Sequence, residues 1–141
     1  MYIFTTNPDD LDYDTEIVES LKSYVSDYNN VQLIYYSNDM VDKIVSQLKK
    51  EGKNNIVYTG YATEMCVLFR PIGIMAMNYS EYSDNFDFYI IPEATMSMVS
   101  ERNSDNISMS NDICIMLAQQ DKANIIVSDD FLRWIDKYNE K

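Results

Sequence analysis

A strand and the start of a helix meet in residues 56–68, whose sequence is Ile56-Val57-Tyr58-Thr59-Gly60-Tyr61-Ala62-Thr63-Glu64-Met65-Cys66-Val67-Leu68. The first four residues are β-branched or aromatic, which is typical of a strand. Gly60 then opens a turn, and Cys66 falls where the next helix begins. A thiol there feels the positive end of the helix dipole and nearby backbone N–H groups, which favour the thiolate. The segment predicts a nucleophile; the alternative is a buried structural cysteine, the common fate of a free thiol.

Strands and helices alternate on both sides of this segment. Apolar and β-branched blocks predict strands at residues 1–6, 31–36, 55–59, 86–91 and 125–127. Helical periodicity predicts helices over residues 14–28, 40–48, 63–77 and 107–120, and a last one from Ser128 or Asp129. Pro71 strains the first half of the third helix. The alternation favours one α/β domain, residues 1–141, with a mostly parallel five-stranded sheet between two helical layers.

Composition and charge exclude several classes of protein. The chain is 46% hydrophobic, and no run approaches the roughly 20 apolar residues of a membrane span. Asp and Glu total 23 against 11 Lys and Arg, so the formal net charge is −12. Such a surface repels phosphate backbones and anionic lipids, so we expect neither a nucleic-acid nor a membrane partner. The N-terminus lacks the pattern of a signal peptide, and we expect a cytoplasmic protein.

The chain contains no histidine and two cysteines, Cys66 and Cys114. The absence of histidine excludes Ser-His-Asp and Cys-His catalysis and the usual zinc sites. In a reducing cytosol the two cysteines are expected to be free thiols. We therefore predict no metal and no cofactor, and any catalysis has to use cysteine, carboxylate, lysine, tyrosine or backbone groups.

The run from Gly60 to Val67 resembles the nucleophile signature of the isochorismatase-like cysteine hydrolases, in which glycine, threonine and cysteine-valine stand at this spacing after a strand. Downstream, Arg70-Pro71-Ile72-Gly73-Ile74 and Tyr89-Ile90-Ile91-Pro92-Glu93-Ala94-Thr95 look like the next helix and strand of that family. The resemblance implies an isochorismatase-like three-layer α/β/α fold and a Cys-Asp-Lys catalytic set. It also implies hydrolysis of C–N bonds in small amides, and a cis peptide near residues 61–63.

Two departures from the family pattern bear on the site. Only two predicted strands, residues 1–6 and 31–36, precede the strand that leads to Cys66, where the family has three, and no lysine occurs in residues 31–39. Losing an edge strand is more tolerable than losing a central one, so residues 1–6 are interpreted as the central strand, which predicts strand order 2-1-3-4-5. Residues 7–10 then face Cys66, and Asp9 or Asp10 supplies the base. A competing alignment matches residues 6–9 to the family's second strand and leaves the aspartate absent.

The predicted site combines these residues with the loops at the carboxyl ends of strands one, three and four. Cys66 with Asp9 or Asp10 is catalytic, and the ligand contacts are Asn7, Tyr61, Ala62, Thr63, Arg70 and Glu93. The predicted function is a small cysteine-dependent hydrolase acting on an amide-type compound. The alternative is a silent relative that binds a small molecule or a protein partner in the same pocket. We expect a homo-oligomer, because methionine and tyrosine are abundant and family members commonly oligomerise.

Overall fold

A computed structural model describes residues 2–5, 22–23, 26, 32–35, 37, 40–97 and 104–139. The chain divides into two compact units, Met1–Asp42 and Lys43–Lys141. In the first unit, strand β1 (Tyr2–Thr5) pairs in parallel with strand β2 (Gln32–Tyr35), Tyr2 lying opposite Gln32. These strands confirm the predictions for residues 1–6 and 31–36. Lys22, Ser23 and Ser26 are helical, in agreement with the predicted crossover helix.

Helix α1 (Met40–Lys50) begins in the first unit and continues into the second. Its buried residues recur at helical spacing and are Met40, Ile44, Val45 and Leu48. The helix ends before Gly52, whose φ of +66° is left-handed backbone that glycine adopts without strain. There the N–H of Lys53 donates to the Leu48 carbonyl at 2.8 Å, which satisfies an open carbonyl of the last turn. The sequence prediction of this helix and its stop is confirmed.

The second unit contains a three-stranded parallel sheet with the order β3-β4-β5. Its strands are β3 (Asn55–Tyr61), β4 (Asp87–Met96) and β5 (Asn124–Ile125). Besides most of α1, its α-helices are α2 (Ile74–Asn78), α3 (Ser104–Gln119) and α4 (Ser128–Asn139). The α/β class is therefore confirmed. The described strands form sheets of two and three members, and a single five-stranded sheet with the order 2-1-3-4-5 between two helical layers stays a prediction.

Helix α3 packs on β4 and β5 and also contacts the segment that carries Cys66. Phe88, Ile90 and Ile91 of β4 are buried, because a parallel strand covered by helices turns apolar side chains to both faces. Cys114 and Leu117 of α3 are fully buried as well. The apolar core of the second unit therefore fixes α3 close to the carboxyl ends of β3 and β4.

The single helix predicted over residues 63–77 is wrong. The structure has a five-residue π-helical turn, Thr63–Val67, then a tight turn at residues 70–73, and only then α2. Pro71 lacks an N–H group and its ring obstructs a continuing helix. The N–H of Gly73 closes the tight turn by donating to the Arg70 carbonyl at 2.6 Å. A Cβ on Gly73 would lie 2.6 Å from the Leu68 carbonyl oxygen, so only glycine fits this approach.

Strand β4 does not end at Ile91, as predicted, but runs through Pro92 to Met96. Tyr58 lies opposite Ile90 and Gly60 opposite Thr95, so residues 91–94 of β4 stand against the single residue Thr59. We call residues 91–94 the β4 bulge. Proline cannot donate a ladder hydrogen bond, and a bulge is one of the few places in a sheet that accept it. The bulge leaves Glu93 and Ala94 exposed at the end of the strand.

Candidate active site around Cys66

Cys66 lies in the π-helical turn that directly follows the carboxyl end of β3. Its side chain is half-buried, whereas the thiol of Cys114 is buried in the core. Ligands of open parallel sheets bind outside the carboxyl ends of the strands. Cys66 is therefore the thiol that has both solvent access and the position expected of a nucleophile.

Two backbone N–H groups of the π-helical turn donate hydrogen bonds to the same carbonyl group. The Ala62 oxygen accepts from the N–H groups of Met65, at 3.2 Å, and Val67, at 3.1 Å. Those two donors are occupied, so an oxyanion formed at Cys66 would have to be held by the N–H groups of Thr63, Glu64 or Cys66. The Tyr61–Ala62 peptide bond is cis, as the resemblance implied for residues 61–63.

The structure distributes the predicted ligand contacts unevenly. Tyr61, Arg70 and Glu93 are exposed, whereas Ala62 and Thr63 are buried, Thr63 completely. The buried pair shapes the backbone beneath Cys66 and presents no surface to a ligand. Asn7, Asp9 and Asp10 lie outside the described residues, so their proximity to Cys66 stays a prediction.

Glu93 has a structural contact of its own. Its carboxylate accepts a hydrogen bond from the Ser128 hydroxyl at 3.4 Å, at the first residue of α4. A carboxylate near a helix N-terminus is stabilised by the helix dipole. The exposed β4 bulge is therefore tied to α4 through the residue that was predicted to contact the ligand.

Buried hydroxyl groups lie directly behind the Cys66 turn. Thr63 Oγ1 is 2.7 Å from Ser110 Oγ, and Ser110 Oγ is 3.0 Å from Thr95 Oγ1. Ser110 was not among the predicted site residues, although the sequence carries a signal for it. Ser110, Cys114 and Leu117 are spaced by four and three residues and share one helix face. A serine on an otherwise apolar buried face has to find a hydrogen-bond partner.

Glu64 is a second residue that the sequence analysis did not single out. It lies two residues before Cys66, is half-buried, and has one carboxylate oxygen buried completely. A carboxyl group in the same turn as the thiol is a candidate for proton transfer.

The described residues contain neither a metal-binding cluster nor a membrane-spanning helix. No cluster of three or more His, Cys, Asp or Glu side chains in that part of the chain is arranged to hold a metal ion. Within the same residues, no helix has the length and apolar character needed to cross a membrane.

Comparison of the chain with protein-family models, with curated proteins and with solved structures gives no match. The resemblance of residues 60–67 to the cysteine hydrolases therefore supports only a proposal about function, together with the geometry described above.

Because the Cys114 thiol is buried, we expect the protein to lose stability at alkaline pH. Burial raises the pKa of Cys114, and the hydrogen bond with the Thr95 hydroxyl only partly offsets this. The unfolded chain therefore loses the Cys114 proton first, so this contribution is complete below about pH 8.5 and is lost as the pH rises above that value. We expect the free energy of unfolding to fall by up to about 1.4 kcal/mol per pH unit from this group.

Denaturant unfolding of the wild type and Cys114→Ala at several pH values between 8 and about 10 checks this expectation. The variant is expected to be less stable overall but to lose less of its stability over this range. Parallel curves for the two proteins would contradict a raised pKa.

Proposed function

We propose that this protein is a small cysteine-dependent hydrolase that cleaves a C–N bond in a small amide or related compound. The observation that carries the proposal is the position of Cys66, half-buried in the first helical turn after the carboxyl end of a parallel strand. The resemblance of residues 60–67 to the cysteine hydrolases supports the same reaction class.

The reaction begins with attack of the Cys66 thiolate on the amide carbon, which forms a C–S bond and a tetrahedral oxyanion. Backbone N–H groups of the turn hold the oxyanion. The C–N bond then breaks, the leaving nitrogen takes a proton, and a thioester remains on Cys66. Water attacks the thioester, releases the acid and restores the thiol. Asp9 or Asp10 moves the proton in this scheme, and Glu64 is the acidic candidate inside the turn.

Exposed apolar side chains surround the thiol in sequence and favour a compact organic ligand. Tyr61, Met65 and Phe69 have exposed fractions of 61%, 50% and 64%. Large apolar side chains with few polar groups suit a small planar or amide-bearing molecule better than a polymer. We therefore propose small amides and cyclic imides as the first substrates to be screened.

A silent relative that only binds its ligand is the second candidate, and the lysine contacts favour it. The Lys49 ammonium lies 5.3 Å from the centre of the Tyr82 ring, and the Lys122 ammonium lies 5.0 Å from that of Tyr79. These two cations are engaged with aromatic rings, and no lysine occurs in residues 31–39, where the resemblance implies the catalytic one. A thiolate that lacks this cation loses part of its stabilisation.

The rate of Cys66 alkylation separates the two candidates. For the hydrolase we expect Cys66 to react faster at neutral pH in the folded protein than in the urea-unfolded chain, because the backbone N–H groups of the turn favour the thiolate. Rates are measured with iodoacetamide, and peptide mass spectrometry assigns the label to Cys66 or Cys114. Alkylation of Cys66 that is no faster in the folded protein than in the unfolded chain would favour the protein that only binds its ligand.

Self-association belongs to the same proposal. Exposed apolar residues on α3 and α4 support it and are Ile115, Met116, Leu132 and Trp134. Two-fold symmetric pairing is the commonest way in which such faces are covered.

A further inference from the structure

The buried polar side chains of the described residues are all hydroxyl groups, and they occur at one end of the sheet. They belong to Thr63, Thr95, Ser97 and Ser110. Thr63 begins the π-helical turn, Thr95 lies near the end of β4, Ser97 directly follows that strand, and Ser110 lies on α3. Because burying a hydroxyl carries a desolvation cost, its hydrogen bonds decide whether the arrangement is stable.

The direction of each hydrogen bond follows from counting protons. The Thr95 hydroxyl donates its single proton to the Pro92 carbonyl at 3.0 Å. Towards Ser110 it can therefore only accept, so Ser110 donates to Thr95 and in turn accepts the Thr63 proton. The Cys114 thiol lies 3.8 Å from the same Thr95 oxygen. The hydrogen bonds therefore run in one direction, from Thr63 to Ser110, from Ser110 to Thr95 and from Thr95 to the Pro92 carbonyl. We call this set of hydrogen bonds the hydroxyl relay.

The hydroxyl relay joins the two segments that flank the candidate site. One end is Thr63, three residues before Cys66, and the other is the β4 bulge, which carries Glu93. Ser110 is the middle member and comes from a helix that contributes no other residue to the predicted site. A side chain that donates to one of these segments and accepts from the other holds the distance between them.

We infer that Ser110 is a positioning residue: through Thr63 it fixes the turn that presents the Cys66 thiol, and through Thr95 it fixes the β4 bulge. The inference rests on the proposed function for its catalytic meaning. The placement of the Cys66 turn can nevertheless be measured without a substrate, from the reactivity of the thiol itself.

Ser110→Ala removes the middle of the relay and leaves the Thr63 proton without its acceptor. We expect the alkylation rate of Cys66 at neutral pH to change about threefold to tenfold, the factor that one hydrogen bond is worth. Leu117→Ala is the matched control, because Leu117 is fully buried on the same helix but its side chain has no hydrogen-bonding group. It is expected to lower stability more and to leave the alkylation rate of Cys66 unchanged.

A second pair of variants tests the same relay at its donor end and does not depend on Ser110→Ala folding. Thr63→Ser keeps the hydroxyl and should keep the wild-type alkylation rate of Cys66. Thr63→Val keeps the volume of the side chain but removes the hydroxyl proton, and should change that rate as Ser110→Ala does. Alkylation of buried Cys114 in the same samples reports global opening, so a change confined to Cys66 is a change in the turn.

The inference is overturned if Ser110→Ala alters Cys66 alkylation no more than Leu117→Ala does, or if Thr63→Ser and Thr63→Val behave alike. Failure of the proposed function looks different. In that case the wild type hydrolyses no small amide and its Cys66 is alkylated no faster than in the unfolded chain. The relay variants would still change the alkylation rate of Cys66.

Discussion

Cys66→Ala is expected to abolish hydrolysis of any small amide or imide that the wild type turns over. Removing a catalytic nucleophile lowers kcat by on the order of 10⁴-fold or more, because the covalent step has no substitute in the site. No other thiol takes over, since Cys114 is buried and its pKa is raised by burial. The measurement is turnover of a panel of small amides and cyclic imides by wild type and variant at the same pH.

Cys114→Ala is the matched control, because it removes the other thiol of the chain. It should hydrolyse the same compounds as the wild type under conditions in which it remains folded. Hydrolysis surviving in Cys66→Ala would contradict the assignment of the nucleophile. Thermal stabilisation of the wild type and Cys66→Ala by the same compound, without turnover by either, would indicate the protein that only binds.

Gly73→Ala is expected to lower the free energy of unfolding by about 2–3 kcal/mol, the range of overpacked buried positions. The new Cβ would lie 2.6 Å from the Leu68 carbonyl oxygen and 2.7 Å from its carbon. Both are backbone atoms, so the turn at residues 70–73 has to open. Leu68, Ile72 and Ile74 around it are buried, and opening the turn displaces them.

Gly52→Ala is the comparison, because nothing lies within 4 Å of the position of its added Cβ. Its φ of +66° makes alanine there cost only about 1 kcal/mol of backbone strain. Urea unfolding of the three proteins gives the two losses directly. Equal losses would show that the approach of Gly73 to Leu68 is relieved by small shifts of the backbone.

Local signals in the sequence were enough for the elements whose causes lie within a few residues. Helix α1 was predicted because its apolar positions repeat at helical spacing and Gly52 provides the left-handed stop. The strand and turn before Cys66 were also predicted from local signals, namely the β-branched and aromatic residues 56–59 and the turn residue Gly60. Helix α4 was predicted as well, although Ser128 is its first residue and not its cap, because the Phe131 N–H donates to the Val127 carbonyl at 3.0 Å.

Elements whose geometry depends on a neighbour were not predictable in this way. The helix expected over residues 63–77 was broken by Pro71 together with a glycine that packs against a carbonyl five residues earlier. The β4 bulge depends on which residue of β3 stands opposite it. Register is a property of two strands, and neither strand carries the information alone.

The sequence by itself determined the α/β class, the strand before Cys66 and the thiol at the start of a helical turn, because periodicity and turn residues act over a few positions. Only the tertiary structure brought Ser110 to Thr63, 47 residues away in the chain, and ordered the hydrogen bonds behind the turn. The physical reason is that leaving the buried Ser110 hydroxyl unpaired would be costly, but its partner is decided by how α3 packs on the sheet.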